Sequence, residues 1–440
     1  MTLAKIFRDG MLLQRDIPTA IWGTARPGEV IRITVQNRSA AAIADASGAW
    51  LAHLPPLCAS KGETLTVRGA DGEIALHDVA VGEVFIASGQ SNMEFHMRDD
   101  AHYSDALASC GNPDIRFYEV PKVAYDGQPP EDPDAGVWRK ASPQELEYFS
   151  AAGYYFARKL AGDLAVPMGI VGCYWGGTRS CAWMNEAHAR RVLPEQCAAD
   201  TTECPQNAPG ALFENMVLPI SPFAARGVLW YQGESDDDFP QHRYAEALQN
   251  VMFCWRFLWR NPDLPFLVVQ LPGFDRQFDA ASRDYVTIRR CQQQAVDGDD
   301  RAWLCSISDA GEEFDIHPKD KRPVGERLAL LAERHLLGMD ILADAPRCEG
   351  VEREGDRISI TFENAGGGLR VAGDALQALD IRAGERAVSY TWEVEGNVLR
   401  IQLDGSEAGD VRVRFAQTNW YCVNLYNEAG IPAIPFEGTV

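Results

Sequence analysis

The sequence predicts an α/β protein built on a doubly wound parallel sheet, flanked by N-terminal and C-terminal β-sandwich-like domains. Three observations lead there. Between residues 81 and 340, apolar strand-like runs alternate with long helical segments. Several of those runs are continuously apolar, as expected of parallel strands covered on both faces. Residues 1–80 and 341–440 instead carry short alternating strands broken by turn signals, and 440 residues exceed the usual size of one domain.

In residues 1–80, Ile31, Ile33 and Val35 alternate with polar residues, as do Leu65 and Val67. Arg26-Pro27-Gly28, Ser47-Gly48, Lys61-Gly62 and Asp71-Gly72 mark turns, so a small sandwich is expected. The central runs are Val84–Ala87, Met168–Cys173, Val228–Tyr231, Phe266–Leu271 and Trp303–Ser308. Ser142-Pro143-Gln144-Glu145 reads as a capping box opening a helix, with Gly162 following its far end. A second helix is expected from about Tyr244 to Trp259, and a third near Pro323 with Val324, Leu328 and Leu331 on one face. The last domain is expected to hold strands at Arg357–Phe362, Leu376–Ile381, Val398–Leu403 and Val411–Phe415.

The formal net charge of −22 argues against nucleic acid or an anionic membrane surface as partner, since both are captured by Lys/Arg excess. The opening MTLAKIFRDGMLLQRD lacks a secretory apolar core, and no apolar run approaches the roughly 20 residues of a membrane span. A cytoplasmic protein is therefore expected. The 11 cysteines form no C-x-x-C pair, and the closest two, Cys197 and Cys204, have no zinc-finger partners. Reduced, mostly buried thiols are the simplest account.

Ligands of an open parallel sheet bind where strands end at their carboxyl edge. The first run is followed by Ser88-Gly89-Gln90-Ser91-Asn92-Met93, and the second ends in Tyr174-Trp175-Gly176-Gly177-Thr178. The third ends in Tyr231-Gln232-Gly233-Glu234-Ser235, and after the last comes Asp309-Ala310-Gly311-Glu312-Glu313-Phe314-Asp315-Ile316-His317-Pro318. One edge thus gathers a serine, two Gly-rich turns, an amide, carboxylates and a histidine. That is the inventory of acyl transfer. A serine hydroxyl needs an adjacent base, the charge built on the carbonyl oxygen needs fixed donors, and a carboxylate can set the histidine's tautomer.

Gly89-Gln90-Ser91-Asn92-Met93, Trp175-Gly176-Gly177-Thr178, Trp230-Tyr231-Gln232-Gly233-Glu234-Ser235 and Asp315-Ile316-His317-Pro318, in that order, resemble the sialate O-acetylesterase family of the SGNH (GDSL-like) hydrolases. Met11-Leu12-Leu13-Gln14-Arg15, Val81-Gly82-Glu83-Val84, Asn424-Leu425-Tyr426-Asn427 and Pro435-Phe436 extend the resemblance toward both ends. It implies an SGNH-type three-layer fold, Ser91 as nucleophile and His317 as base. The implied oxyanion hole is the Ser91 N–H, an N–H of Gly176 or Gly177, and the Gln232 side chain, where many SGNH enzymes have asparagine. No metal or organic cofactor is implied. The aspartate usual three residues before the histidine is Phe314 here, so Asp315, two before, is assigned as third member. Asp309, Glu312, Glu313, a main-chain carbonyl or a bare Ser–His dyad are the alternatives.

Asn92, Trp175, Arg179 and Glu234 are candidates for touching substrate. Arg179 suits a sialic-acid carboxylate or an ordinary structural role equally, and Glu234 reads first as a buried hydrogen-bonding residue. Trp183 and Trp230 suit either sugar stacking or the core. His96 is expected to face a helix or the cleft rim, and Asp236-Asp237-Asp238 reads as a solvated loop before a calcium site. The expected reaction has two steps: Ser91, activated by His317, takes the acetyl group from a sugar hydroxyl, and water then hydrolyses acetyl-Ser91. The partner is an acetylated mono- or oligosaccharide. Acetylated xylo- or manno-oligosaccharides would use the same mechanism; a non-catalytic carbohydrate-binding protein is the alternative from another class. The flanking β domains are expected to shape the cleft or an interface, a homo-oligomer included.

Overall fold

The computed structural model describes residues 1–440 apart from 131, 133–134, 237–240, 276–283 and 406–408. The chain divides into two compact units, Met1–Ser235 with Glu246–Phe266, and Asp236–Ala245 with Leu267–Val440. Asp237 and Asp238 of the acidic run lie outside the described residues.

The first unit is organised by one long strand, Gly72–Gly89. Its first part alternates in exposure and pairs antiparallel with Ser60–Gly69; from Val79 onward every residue is buried. There the strand pairs in parallel with Met168–Tyr174 on one side and Gly227–Tyr231 on the other. The switch from alternating to continuous burial is the switch from a sheet covered on one face to one covered on both. The expected break between residues 80 and 81 falls inside this strand. Ile31, Ile33, Val35, Leu65 and Val67 are buried, as their alternation requires.

Asn112–Glu119 pairs in parallel beyond Met168–Tyr174, and Trp138–Ala141 closes that edge antiparallel. The central sheet is therefore mixed, where a parallel one was expected. Sequence pattern missed Asn112–Glu119 because Arg116 interrupts its apolar run. Yet Arg116 is buried: its guanidinium donates to the carbonyls of Gly10 (2.8 Å), Met11 (3.2 Å) and Asp78, and to the Asp78 carboxylate. The capping-box reading is corrected too. The helix is Ala151–Leu164, beginning after Ser150, whose Oγ accepts from the Gly153 N–H and donates to the Met93 carbonyl. Residues 142–148 form turns and one short 3₁₀ segment instead, and Ala165, not Gly162, takes the left-handed position past the helix end (φ 53°).

Within the long strand, where its parallel pairing with Met168 begins, Glu83 is fully buried between Arg226 (2.8 and 3.1 Å), Arg15 (2.6 Å) and Gln14 (2.8 Å). Burial works to raise its carboxyl, but these hydrogen bonds and the Arg226 charge outweigh it and hold it below the ordinary 4.5. Trp183, Trp230 and Trp255 are fully buried in edge-on pairs, 6.1 and 6.2 Å between ring centres. Trp183 and Trp230 are thus core residues, not sugar platforms.

In the second unit, helices Tyr285–Asp297 and Arg322–Leu331 accompany the strand Ala302–Cys305, and Gln270 N–H donates to the Cys305 carbonyl (3.0 Å). Asp284 caps the first helix through the Thr287 N–H (2.9 Å). Two four-stranded sheets follow. One runs Arg347–Glu354, Arg357–Glu363, Val398–Leu403, Tyr390–Glu395; the other Arg386–Ala387, Leu379–Ala383, Val411–Phe415, Phe436–Thr439. Ile358, Ile360, Leu399, Val411, Val413 and Phe415 share the core between them. The cysteines are free thiols, most of them buried, and no helix among the described residues is long and apolar enough to cross a membrane.

Candidate active site

In the first unit three parallel strands end in register. Gly89 stands opposite both Tyr174 and Tyr231, so the three motifs that follow them emerge side by side. Gly89 has φ 130°, and a Cβ there would run into the Tyr231 carbonyl; only glycine fits. Trp175 N–H donates to the Gly89 carbonyl (3.2 Å) and Gln90 N–H to the Tyr231 carbonyl (3.0 Å). The buried Gln90 side chain then tethers the third motif: its oxygen accepts from Gly233 N–H (3.4 Å) and Ser235 N–H (3.2 Å), and its amide donates to Ser235 Oγ (3.2 Å). Ser91, half-buried, opens a single helical turn, Ser91–Glu94, immediately after these tethers.

The Gly-Gly turn packs against that serine. A Cβ placed on Gly176 would sit 3.3 Å from the Ser91 Cβ, so a larger residue would crowd Ser91. Gly176 N–H donates to Glu94 Oε2 (2.7 Å), whose other oxygen pairs with Lys122 Nζ (2.5 Å). Gly177 is exposed with φ 70°, and its carbonyl accepts from Asn207 (3.0 Å). Of the two candidates, then, Gly176 has its donor committed to Glu94. Thr178 ties the turn inward: its hydroxyl donates to the Trp175 carbonyl (2.7 Å) and accepts from the Trp183 indole (3.0 Å). The fully buried Gln232 amide donates to the Thr178 carbonyl (3.1 Å), which joins the second and third motifs.

The remaining substrate candidates separate. Asn92 and Glu234 are buried, and the Asn92 amide donates to Glu234 Oε1 (2.6 Å). Trp175 is largely buried, with the Lys122 ammonium 6.0 Å from its ring centre. Arg179 is half-buried, its N–H on Asn207 Oδ1 (2.8 Å). His96 lines a cavity of about 380 Å³ together with Arg98, Glu119, Lys122 and Tyr148. Burial pushes His96 down and lifts the Glu119 carboxyl to about 7. Glu94 and Lys122 were not found by sequence reasoning, although Glu94 follows Ser91 by three residues, one helical turn away.

The histidine loop is built within the second unit. Asp309, after the Ala302–Cys305 strand, is held bidentately by Arg327 (2.6 and 2.8 Å). Glu312 accepts from the Lys319 N–H (2.8 Å), pinching the loop across its base. Between them Asp315 Oδ1 accepts from the main-chain N–H of His317 (2.8 Å), and Oδ2 pairs with Lys319 (3.1 Å). Burial would raise the Asp315 carboxyl, but the His317 N–H and Lys319 outweigh it and keep it below 3.8. Asp309 is thus engaged by Arg327 and Glu312 by the Lys319 N–H, and the hydrogen bond of Asp315 is to the His317 backbone, the His317 charge also lowering its carboxyl. Phe314, at the usual aspartate position, is 56% exposed. No group of three or more metal-ligating side chains gathers among the described residues.

Residues 81–305 match the family described as carbohydrate esterase, sialic acid-specific acetylesterase. The sialate O-acetylesterase of Homo sapiens is 25% identical over 392 residues, covering 79% of this chain and 74% of its own. That of Mus musculus is 24% identical over 382 residues, covering 73% and 70%. A crystal structure of a carbohydrate acetylesterase from Xanthomonas citri superimposes with a TM-score of 0.87 at 32% identity, covering 99% of both chains. The chain belongs to this esterase family and is a carboxylic ester hydrolase.

Proposed function

We propose that the chain is a serine O-acetylesterase of carbohydrates, acting on O-acetylated sialic acids through an acetyl-Ser91 intermediate on an SGNH-type three-layer scaffold. The observation that carries it is the serine set at the end of three in-register strands, with the Gly176-Gly177 turn packed on its Cβ. His317 takes the Ser91 proton as Oγ attacks the acetyl carbonyl. The oxyanion receives the N–H groups of Ser91 and Gly177 and one N–H of the Gln232 amide; the other N–H serves Thr178. The bond to the sugar oxygen breaks, and His317 returns the proton to that oxygen. Water, deprotonated by His317, then attacks the acetyl carbon; the bond to Ser91 Oγ breaks, His317 returns the proton to Oγ, and acetate leaves.

Asp315 is assigned a main-chain role, shaping the turn that presents His317. Asp315→Asn keeps an oxygen for that N–H, so its kcat is expected within several-fold of wild type, while Asp315→Ala loses about 10- to 100-fold. An aspartate that orients the imidazole would give about a 10⁴-fold loss in the asparagine variant. Steady-state kinetics on 4-nitrophenyl acetate decides between them.

The substrate class is tested by acetate release from O-acetylated sialic acids beside acetylated xylo- and manno-oligosaccharides. Release from the sialic acids is expected. Release from the plant-type sugars alone would overturn the sialate reading and keep the mechanism. No release from any ester, 4-nitrophenyl acetate included, would overturn both.

A further inference from the structure

The geometry points to Glu94 as a positioning residue of the oxyanion hole: its carboxylate fixes the Gly176 N–H and so aims the neighbouring Gly177 N–H at the acetyl oxygen. This rests on the reading of Ser91 as nucleophile. Glu94 belongs to the same helical turn as Ser91, so nucleophile and turn are fastened by one short segment. Its Oε2 accepts from Gly176 N–H at 2.7 Å, the distance of a charge-assisted hydrogen bond. Its Oε1 is held by Lys122 at 2.5 Å, and Lys122 also lies over the Trp175 ring, so both ends of the link touch the turn. Glu94 and Lys122 side chains retain only 19% and 16% of their exposure, which protects the contact from competing water. Gly177, next along the chain, is left exposed with φ 70°. Without the carboxylate, nothing else among these contacts holds the Gly176 N–H, and an oxyanion donor displaced by a fraction of an ångström stabilises the transition state less.

Reach and charge can be separated at this position. Glu94→Gln keeps an oxygen at the same reach and removes the charge. Glu94→Asp keeps the charge and withdraws it by one methylene from Gly176. With 4-nitrophenyl acetate, Glu94→Gln is expected to retain most of wild-type kcat, whereas Glu94→Asp and Glu94→Ala lose roughly 10- to 100-fold in kcat with KM little changed. Thermal midpoints measured on the same preparations identify any loss due to unfolding. A role in stability or in simple charge pairing with Lys122 predicts the reverse order, aspartate above glutamine, and that order overturns the inference. So does a Glu94→Ala variant faster than wild type, which would make Gly176 N–H the oxyanion donor and Glu94 its competitor. Ser91→Ala is run alongside: if wild-type turnover does not depend on Ser91, the nucleophile reading has failed; if it does, only the Glu94 inference is at stake.

Discussion

Replacing Ser91 with alanine is expected to lower kcat on esters by on the order of 10⁴- to 10⁶-fold. The substitution removes one oxygen and retains the Cβ that packs against Gly176, so the three strand ends and their tethers through Gln90 stay in place. Circular dichroism and thermal midpoint should therefore match wild type. The proposed oxyanion donors also survive, so a residual rate above that in water is expected. A variant within tenfold of wild type would mean that water attacks the ester directly.

Replacing His317 with alanine is expected to cost about as much, on the order of 10⁴- to 10⁶-fold, because a serine hydroxyl without a base is a poor nucleophile. The loop should survive. Its turn is closed by Asp315 on the main-chain N–H of residue 317 and by Glu312 on the Lys319 N–H, neither of which needs the imidazole. A nucleophile and base acting as a unit, as proposed for this pair, predict a Ser91→Ala/His317→Ala double variant no slower than either single variant. Multiplying losses would show that they act in separate steps. Steady-state rates on 4-nitrophenyl acetate measure all three.

Much of this architecture was legible in the sequence because its signals are local. The strands Met168–Tyr174 and Gly227–Tyr231 carry uninterrupted apolar runs, and the glycines after them mark where the backbone must turn at a sheet edge. Residues whose role depends on distant partners were not legible. Arg116 reads as a break in a strand, and its burial rests on the carbonyls of Gly10 and Met11, over a hundred residues away, and on Asp78. Ser150 won the helix cap over Ser142 because Met93 fixes its hydroxyl. The sequence could not separate Gly176 from Gly177, since the difference lies in the side chain of Glu94. Asp315 was legible by its nearness to His317, but spacing alone does not tell whether a carboxylate meets the ring or the backbone; the two-residue offset produces the backbone contact.

In the proposed mechanism the acetyl group passes through Ser91. 4-Nitrophenyl acetate has a good leaving group, which favours accumulation of an acyl-enzyme, so rapid quenching followed by peptide mass mapping reads that step directly. A first-turnover burst of nitrophenolate and an acetyl group on Ser91 are expected. Acetyl on another residue, with Ser91 unmodified during the burst, would contradict the mechanism.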